Sequence, residues 1–217
     1  GQQRGFQRIA PDRRQRYYES TMIRLYAYHG SRAEPTIRRP LVGERVVVFD
    51  YDVIQSQTGI EFKSVPQNGS AIQTFQNRSA AEAFVERDGS ARIGGIGQIP
   101  REPVPALEHY RLVNTTATTA FADGQYRADQ LRAARGLGAR PGTLFKNSPS
   151  WVKTFERVPG ATVTGSGAEP NGTVTAAVRM RIPGGQGQNA TTFVYRQQAT
   201  ADADGEFTMT LPYATTD

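Results

Sequence analysis

The 217-residue chain has no cysteine. Disulfides, cysteine-ligated zinc, iron–sulfur centres and thiol nucleophiles are therefore excluded together. It has only two histidines, His29 and His109, too little material for a histidine metal site or for most catalytic triads. Long apolar runs are missing too. The longest, such as Val46 to Phe49, hold four or five residues, whereas a membrane-crossing helix takes about 20. No charged start followed by an apolar core marks a secretory leader, so the chain is expected to be cut from a longer protein or to begin after a processed end. Gly and Pro together number 35, about 16%, below the roughly 25–30% of low-complexity chains. The composition is that of a globular protein of one large domain or two small ones.

Lysine is scarce, with 3 against 23 arginines. Arginine keeps its charge and contacts phosphate or carboxylate through two donors at once. A GC-rich genome produces the same skew, and that alternative stays open. The net charge of +6 is localised. Residues 1–45 hold ten arginines and four acids (Asp12, Glu19, Glu34, Glu44), an excess of six, and the remainder is balanced. With Tyr17, Tyr18, Tyr26 and Tyr28 interleaved, this segment fits a nucleic-acid contact, a membrane surface with anionic headgroups, or a solvated helix face.

Residues 12–29 are predicted to form one helix, with Tyr18, Met22, Leu25, Tyr26 and His29 on one face. Pro11 suits its start and Gly30 a left-handed cap. Arg45–Ile54 reads as a strand, and Gly59–Val65 as its hairpin partner. Ser79-Ala-Ala-Glu82 is a capping box for a short helix ending at Asp88, with Gly89 as its stop. His109–Val113 is a further strand and Tyr126–Arg135 a third helix. After Trp151 the helical period disappears. Val174, Ala176, Val178, Met180 and Ile182 alternate, as do Phe207, Met209 and Leu211, and Phe193 and Tyr195 begin a third run. Asp204-Gly205 is a turn signal before the last strand. The expected class is α+β: a mixed α/β unit over 1–150, then a small antiparallel β-sandwich over 151–217.

Five of the six asparagines head an N-x-[ST] sequon: Asn68, Asn77, Asn114, Asn171 and Asn189. Asn147-Ser-Pro does not. Chance would supply one or two, so five point to a surface exposed to a glycosylation machinery; Thr-rich neighbours of loop asparagines remain the plainer reading. Asp50 and Asp52 alternate on one predicted strand and share a face. With no third ligand nearby they read as solvent-facing strand residues rather than as a metal or acid–base pair. His29 reads as a packed histidine rather than a catalyst. Gly94-Gly95-Ile96-Gly97 lacks the strand-to-helix setting of a phosphate loop and reads as an ordinary loop. No nucleophile elbow, Walker or zinc pattern is present.

The runs Arg16-Tyr-Tyr-Glu-Ser-Thr-Met-Ile-Arg-Leu-Tyr-Ala-Tyr-His-Gly30, Ala106-Leu-Glu-His-Tyr-Arg-Leu-Val113 and Trp151-Val-Lys-Thr-Phe-Glu-Arg-Val-Pro-Gly-Ala161 resemble the soluble C-terminal region of AglB. AglB is the archaeal catalytic subunit of oligosaccharyltransferase, and the likeness is to its haloarchaeal branch. The end, Thr200 to Tyr213, is similar to that family's β-domain and to prealbumin-type, carboxypeptidase-regulatory-like sandwiches. In succession these blocks cover nearly the whole chain.

The resemblance implies a domain on the extracellular face of the cell membrane, attached to a multi-pass membrane enzyme. That enzyme transfers a glycan from a dolichol-phosphate carrier to the Asn amide of a sequon. Mg or Mn is expected in the parent, held by its membrane part, and no cofactor or metal site in this segment. The family's Trp-Trp-Asp-Tyr-Gly motif, which reads the acceptor Ser/Thr, is absent here, as are the carboxylates of the membrane loops. No catalytic residue carries over, and the segment alone is expected to be inactive. Tyr18, Met22, Leu25, Tyr26 and His29 are the candidates for supporting acceptor binding. The expected partners are the membrane-embedded part of the same enzyme, the acceptor polypeptide and the lipid-linked oligosaccharide, with no nucleic acid. The rival reading is a cell-surface glycoprotein module for binding or adhesion, and an Arg-rich nucleic-acid-binding protein stands below both.

Overall fold

In the computed structural model of the chain, the described residues are 14–39, 41–50, 52–56, 59–63, 72–116, 152–183 and 190–213. In chain order the elements begin with helices α1 (Gln15–Glu19) and α2 (Thr21–Tyr26). Strands β1 (Thr36–Arg39), β2 (Gly43–Phe49), β3 (Asp52–Ser56), β4 (Gly59–Lys63) and β5 (Ile72–Phe75) follow, then helix α3 (Arg78–Asp88). The remaining strands are β6 (Arg92–Ile93), β7 (Tyr110–Thr115), β8 (Lys153–Arg157), β9 (Ala161–Gly165), β10 (Thr173–Ile182), β11 (Thr191–Thr200) and β12 (Phe207–Leu211). The class is α+β with mostly antiparallel sheets. Two compact units are interleaved along the chain. One comprises Gly1–Gln15, Glu34–Glu102 and Asp123–Asn147, the other Arg16–Ala33, Pro103–Ala122 and Ser148–Asp217.

The first unit is organised by β2. β1 and β5 flank it, both antiparallel, and β6 pairs with its end. Val47 and Phe49 pack with Ile72, Ile96 and Ile99 on one side. Val46 and Val48 pack with Ala81 and Ala91 on the other, where Phe75, Phe84 and Val85 complete the cluster. A strand covered on both faces needs apolar residues at every position, which accounts for the unbroken Val46–Phe49 run. Each such side chain is worth about 1.5–3 kcal/mol of burial.

The predicted strand over 45–54 is two strands. β2 ends at Phe49, and β3 pairs instead with β4 in a separate hairpin, Asp52 opposite Lys63. Asp50 lies between them. It is only 5% exposed, and its carboxylate accepts a 2.7 Å hydrogen bond from Gln73 Nε2. The expected pair of solvent-facing carboxylates on one strand is thereby corrected. A buried carboxylate needs such a donor. Gly94-Gly95-Ile96-Gly97 is an ordinary packed loop. Its three glycines have positive φ, and a Cβ at Gly94 would lie 1.8 Å from Pro100 O.

In the second unit β9 pairs with β12 and β10 with β11, all antiparallel, and β7 pairs with β8. The inward residues of β9 to β12 share one core built on Tyr195, Met209, Leu211 and Tyr213, with Val174, Met180, Phe193 and Phe207 against it. Burial along β10 alternates through Val174, Ala176, Val178, Met180 and Ile182, as the period-2 pattern predicts. Asp202 Oδ1 accepts from the backbone N–H of Asp204 and Glu206, and Gly205 has φ 78°, which closes the predicted turn before β12.

The helix over 12–29 is not continuous. Ser20 breaks it, with ψ 139°, and its hydroxyl accepts from Ile23 N to cap α2. Residues 12 and 13, and the predicted helix 126–135, lie outside the described residues. α3 and its Gly89 stop are as expected, but its first cap differs. Asn77 Oδ1 accepts from Ala80 N at 2.9 Å, so Ser79 lies inside the helix. Glu82, assigned to the capping box, accepts from Arg78 Nε at 2.7 Å. Asn77→Ala should cost about 1 kcal/mol and Ser79→Ala less than about 0.5 kcal/mol. Urea unfolding of both variants checks which residue is the cap.

Candidate functional site

The candidate site is built in the second unit around α2, which has six residues. A helix this short is unstable alone, so its neighbours decide whether it exists. Tyr18 and Ile23 are buried with Val104, and Tyr17, Ala27, Tyr28 and Ala33 pack around them. The Tyr17 and Tyr18 rings meet edge to face, with centroids 5.2 Å apart. Arg24 reaches the 103–107 segment. Its guanidinium donates to Pro105 O at 2.9 and 3.2 Å and to Ala106 O at 2.8 Å. Burial lowers its pKa, while Glu108 and Glu19 oppose that shift.

At its C-terminal end the chain turns through His29 and Gly30, both left-handed, with φ 58° and 77°. His29 N donates to Leu25 O and Gly30 N to Arg24 O, at 3.1 and 2.8 Å. These bonds close the last carbonyls of the turn. A Cβ at Gly30 would sit 3.4 Å from Tyr110 O, and left-handed φ favours glycine there. The segment beyond is tied to β11: Arg196 N donates to Ser31 Oγ at 2.9 Å, and Arg32 N to Arg196 O at 2.9 Å.

Lys153, at the start of β8, completes the site. Its ammonium donates to Tyr26 O and stands 4.7 Å from the centroid of the Tyr26 ring. A cation suits the negative end of a helix and the face of an aromatic ring. Burial pulls the Lys153 pKa down to about 8. His29 lies against Phe193, with ring centroids 4.8 Å apart. Burial, then the Lys153 charge, pulls its pKa down to about 3, so the imidazole is neutral at pH 7. Burial also raises the pKa of the Tyr28 phenol, with Tyr18 and Tyr17 adding to the effect.

The structure thus brings Tyr26 and His29 together with Lys153 and Phe193. Tyr18 is buried in the neighbouring apolar cluster and Leu25 is half-buried, whereas Met22 is 69% exposed. The break at Ser20 takes Tyr18 out of phase with α2, and the left-handed His29 lies beyond the end of the helix, so the five do not form one stripe. His29 is packed, as expected. Lys153 was missed by the sequence reading. The available signal was its type, since it is one of three lysines among 26 basic residues, and lysine, unlike arginine, readily shifts its pKa when buried. Among the described residues no group of three or more His, Cys, Asp or Glu could hold a metal ion. The arrangement positions a helix; it shows no paired acid and base or nucleophile and base.

Of the sequon asparagines, Asn77, Asn114 and Asn171 are exposed. Asn77 caps α3, Asn114 lies in β7 at a register shift against β8, and Asn171 occupies a turn with φ 57°. Asn68 and Asn189 lie outside the described residues.

The two depressed pKa values set opposite limbs of a pH–stability curve. Unfolded His29 takes its proton near 6.5 and folded His29 near 3, so stability falls as pH drops through that window. Unfolded Lys153 releases its proton near 10.5 and folded Lys153 near 8, so stability rises between those values. Each slope is at most about 1.4 kcal/mol per pH unit. In urea unfolding across pH, His29→Asn should reduce only the acid slope, whereas Lys153→Met should remove the alkaline slope and, by taking away the charge that helps hold the His29 pKa down, narrow the acid window as well.

Residues 160–217, which contain β9 to β12, match the family described as the archaeal glycosylation protein B long peripheral domain. The dolichyl-monophosphooligosaccharide–protein glycotransferase AglB of Haloferax volcanii is 50% identical over 203 residues, 93% of this chain and 18% of that protein. The chain therefore spans less than a fifth of the length of the relative it matches. No solved structure matches the chain. The resemblance read from the sequence is borne out: over nearly its whole length the chain is similar to one segment of an AglB glycotransferase, and residues 160–217 carry the match to that family's long peripheral domain.

Proposed function

We propose that the chain is the extracytoplasmic, non-catalytic part of an AglB-type oligosaccharyltransferase, and that α2 supports binding of the acceptor polypeptide. The parent enzyme transfers a glycan from a dolichol-phosphate carrier to the Asn of an N-x-[ST] sequon. Its other partners are the lipid-linked oligosaccharide and the enzyme's own membrane-embedded part. The likeness to the Haloferax volcanii glycotransferase supports this reading, as does the peripheral-domain match. The Mg or Mn expected in the parent finds no adequate donor set among the described residues of this segment, so no step is assigned to a metal here.

The observation that carries the acceptor role is the exposure of Met22 on a helix fixed at both ends. Ser20 caps its start, and Lys153 and Arg24 hold its far end. A large apolar side chain 69% open to solvent, on so short and so restrained a helix, is held where a partner can reach it. A flexible thioether adapts to varied partners, which suits an enzyme whose acceptors differ around the sequon. Tyr18, Leu25, Tyr26 and His29 then act by holding α2 in place rather than by contact.

In the full-length enzyme Met22→Ala should raise KM for a sequon peptide about tenfold, a loss of roughly 1.4 kcal/mol of binding, with kcat nearly unchanged. The same substitution should leave the stability of this chain within about 0.5 kcal/mol, because the side chain is exposed. An unchanged KM overturns the acceptor role. Glycan transfer by the 217-residue chain alone overturns the non-catalytic assignment.

A further inference from the structure

The first unit carries a second exposed apolar feature, unrelated to α2. β1 and β2 form an antiparallel hairpin with Arg39 opposite Gly43, Arg38 opposite Glu44 and Ile37 opposite Arg45. Its tip presents Leu41, fully exposed, and Val42, more than half exposed. Leu41 has φ 67° and Gly43 φ 79°. Gly, Asn or Asp ordinarily fill left-handed positions at a hairpin tip, because a bulky side chain strains the backbone there. Here one of the two is leucine, pushed into solvent. Among the described residues neither tip side chain belongs to an apolar cluster of the unit, and the space around Gly43 is open. Around the tip, residues 38–45 hold three arginines and one glutamate.

We propose that the β1–β2 tip is a membrane-surface contact, with Leu41 and Val42 entering the headgroup boundary of a bilayer rich in anionic lipid, on a hairpin whose sequence over 38–45 carries three arginines against one glutamate. The chemistry of the tip favours this occupant over others. Aliphatic side chains gain by leaving water for the acyl boundary, and each arginine near an anionic surface adds electrostatic attraction. Two projecting aliphatic side chains make a wedge rather than the broad, flat apolar patch of a stable protein interface. The inference does not depend on the acceptor role of α2, and its test uses no glycan transfer.

The 217-residue chain is sedimented with phosphatidylcholine vesicles and with vesicles half phosphatidylglycerol, across a salt series. It should bind the anionic vesicles, more weakly as salt rises, and the neutral ones hardly at all. Leu41→Asn with Val42→Ser should lower the partition coefficient at least about tenfold. Asn tolerates the left-handed position, and circular dichroism confirms that the hairpin variant is folded. Since the chain has no cysteine, Val42→Cys can be labelled singly with an environment-sensitive dye. Its emission should shift to the blue on anionic vesicles, while a dye at Glu86→Cys on α3 should not respond. Failure to bind anionic vesicles overturns the proposal. So does undiminished binding by the double variant, which would assign the attraction to the other arginines alone. A blue shift that follows protein concentration without lipid also overturns it, and would make the tip a contact between copies.

Discussion

The second unit depends on how a six-residue helix is made to persist. α2 is too short to repay its own nucleation, and its terminal carbonyls need donors that the helix cannot supply. Lys153 donates to Tyr26 O from β8, and the Arg24 guanidinium ties the helix to the carbonyls of Pro105 and Ala106. The left-handed His29 and Gly30 then turn the chain toward β11. The interaction is a compromise. Burying the Lys153 ammonium is costly enough to pull its pKa toward neutrality, yet a carbonyl at the helix end and the Tyr26 ring face recover part of that cost. Together with the Ser20 cap and the burial of Ile23, this anchoring holds Met22 in a defined place.

The two units solve the burial problem differently. In the first, β2 is covered on both faces, with Val47 and Phe49 facing one cluster and Val46 and Val48 the other. In the second, β10 turns one face inward, with Thr173, Thr175, Arg179 and Arg181 outward, and β11 buries Tyr195 and Gln197 on its inner face. Tyr195, Tyr213 and Gln197 stitch the 106–112 segment to this core. The Tyr195 hydroxyl donates to Leu107 O, Leu112 N donates to the Tyr213 hydroxyl, and the Gln197 amide donates to Glu108. Buried polar groups placed in this way fix one register, because a slip would leave each of them unsatisfied.

The functional conclusions follow the same division. The long-peripheral-domain match falls on β9 to β12, where the described side chains form a core and loops. The features that reach outward, Met22 and the Leu41–Val42 tip, lie before it in the chain. On the proposed function, Met22 and the hairpin tip are the contact surfaces and the chemistry belongs to other segments of the parent enzyme.

Much of this was legible in the sequence because it rests on local period. The alternation of β10, β11 and β12, the four-residue apolar run of β2, the Asp204-Gly205 turn and the Gly89 stop are all set by which side chains face inward at a period of 2 or by which residues tolerate left-handed φ. The features that sequence alone left open are those where two local readings compete and a distant group decides. Ser20 is tolerable within a helix and is also a good cap; packing of Tyr18 and Ile23 against Val104 selects the cap. Asp50 would continue a strand, but the Gln73 amide, 23 residues away, holds it buried where the strand ends. Asn77 and Ser79 both cap well, and the start of α3 chose Asn77. Lys153 lies 127 residues from the carbonyl it holds. The sequence by itself determined the strand periods, the charge asymmetry and the family likeness. Only the tertiary structure decided where the helices break, which carboxylate is buried and which lysine anchors α2, because each depends on a partner that is near in space and far along the chain.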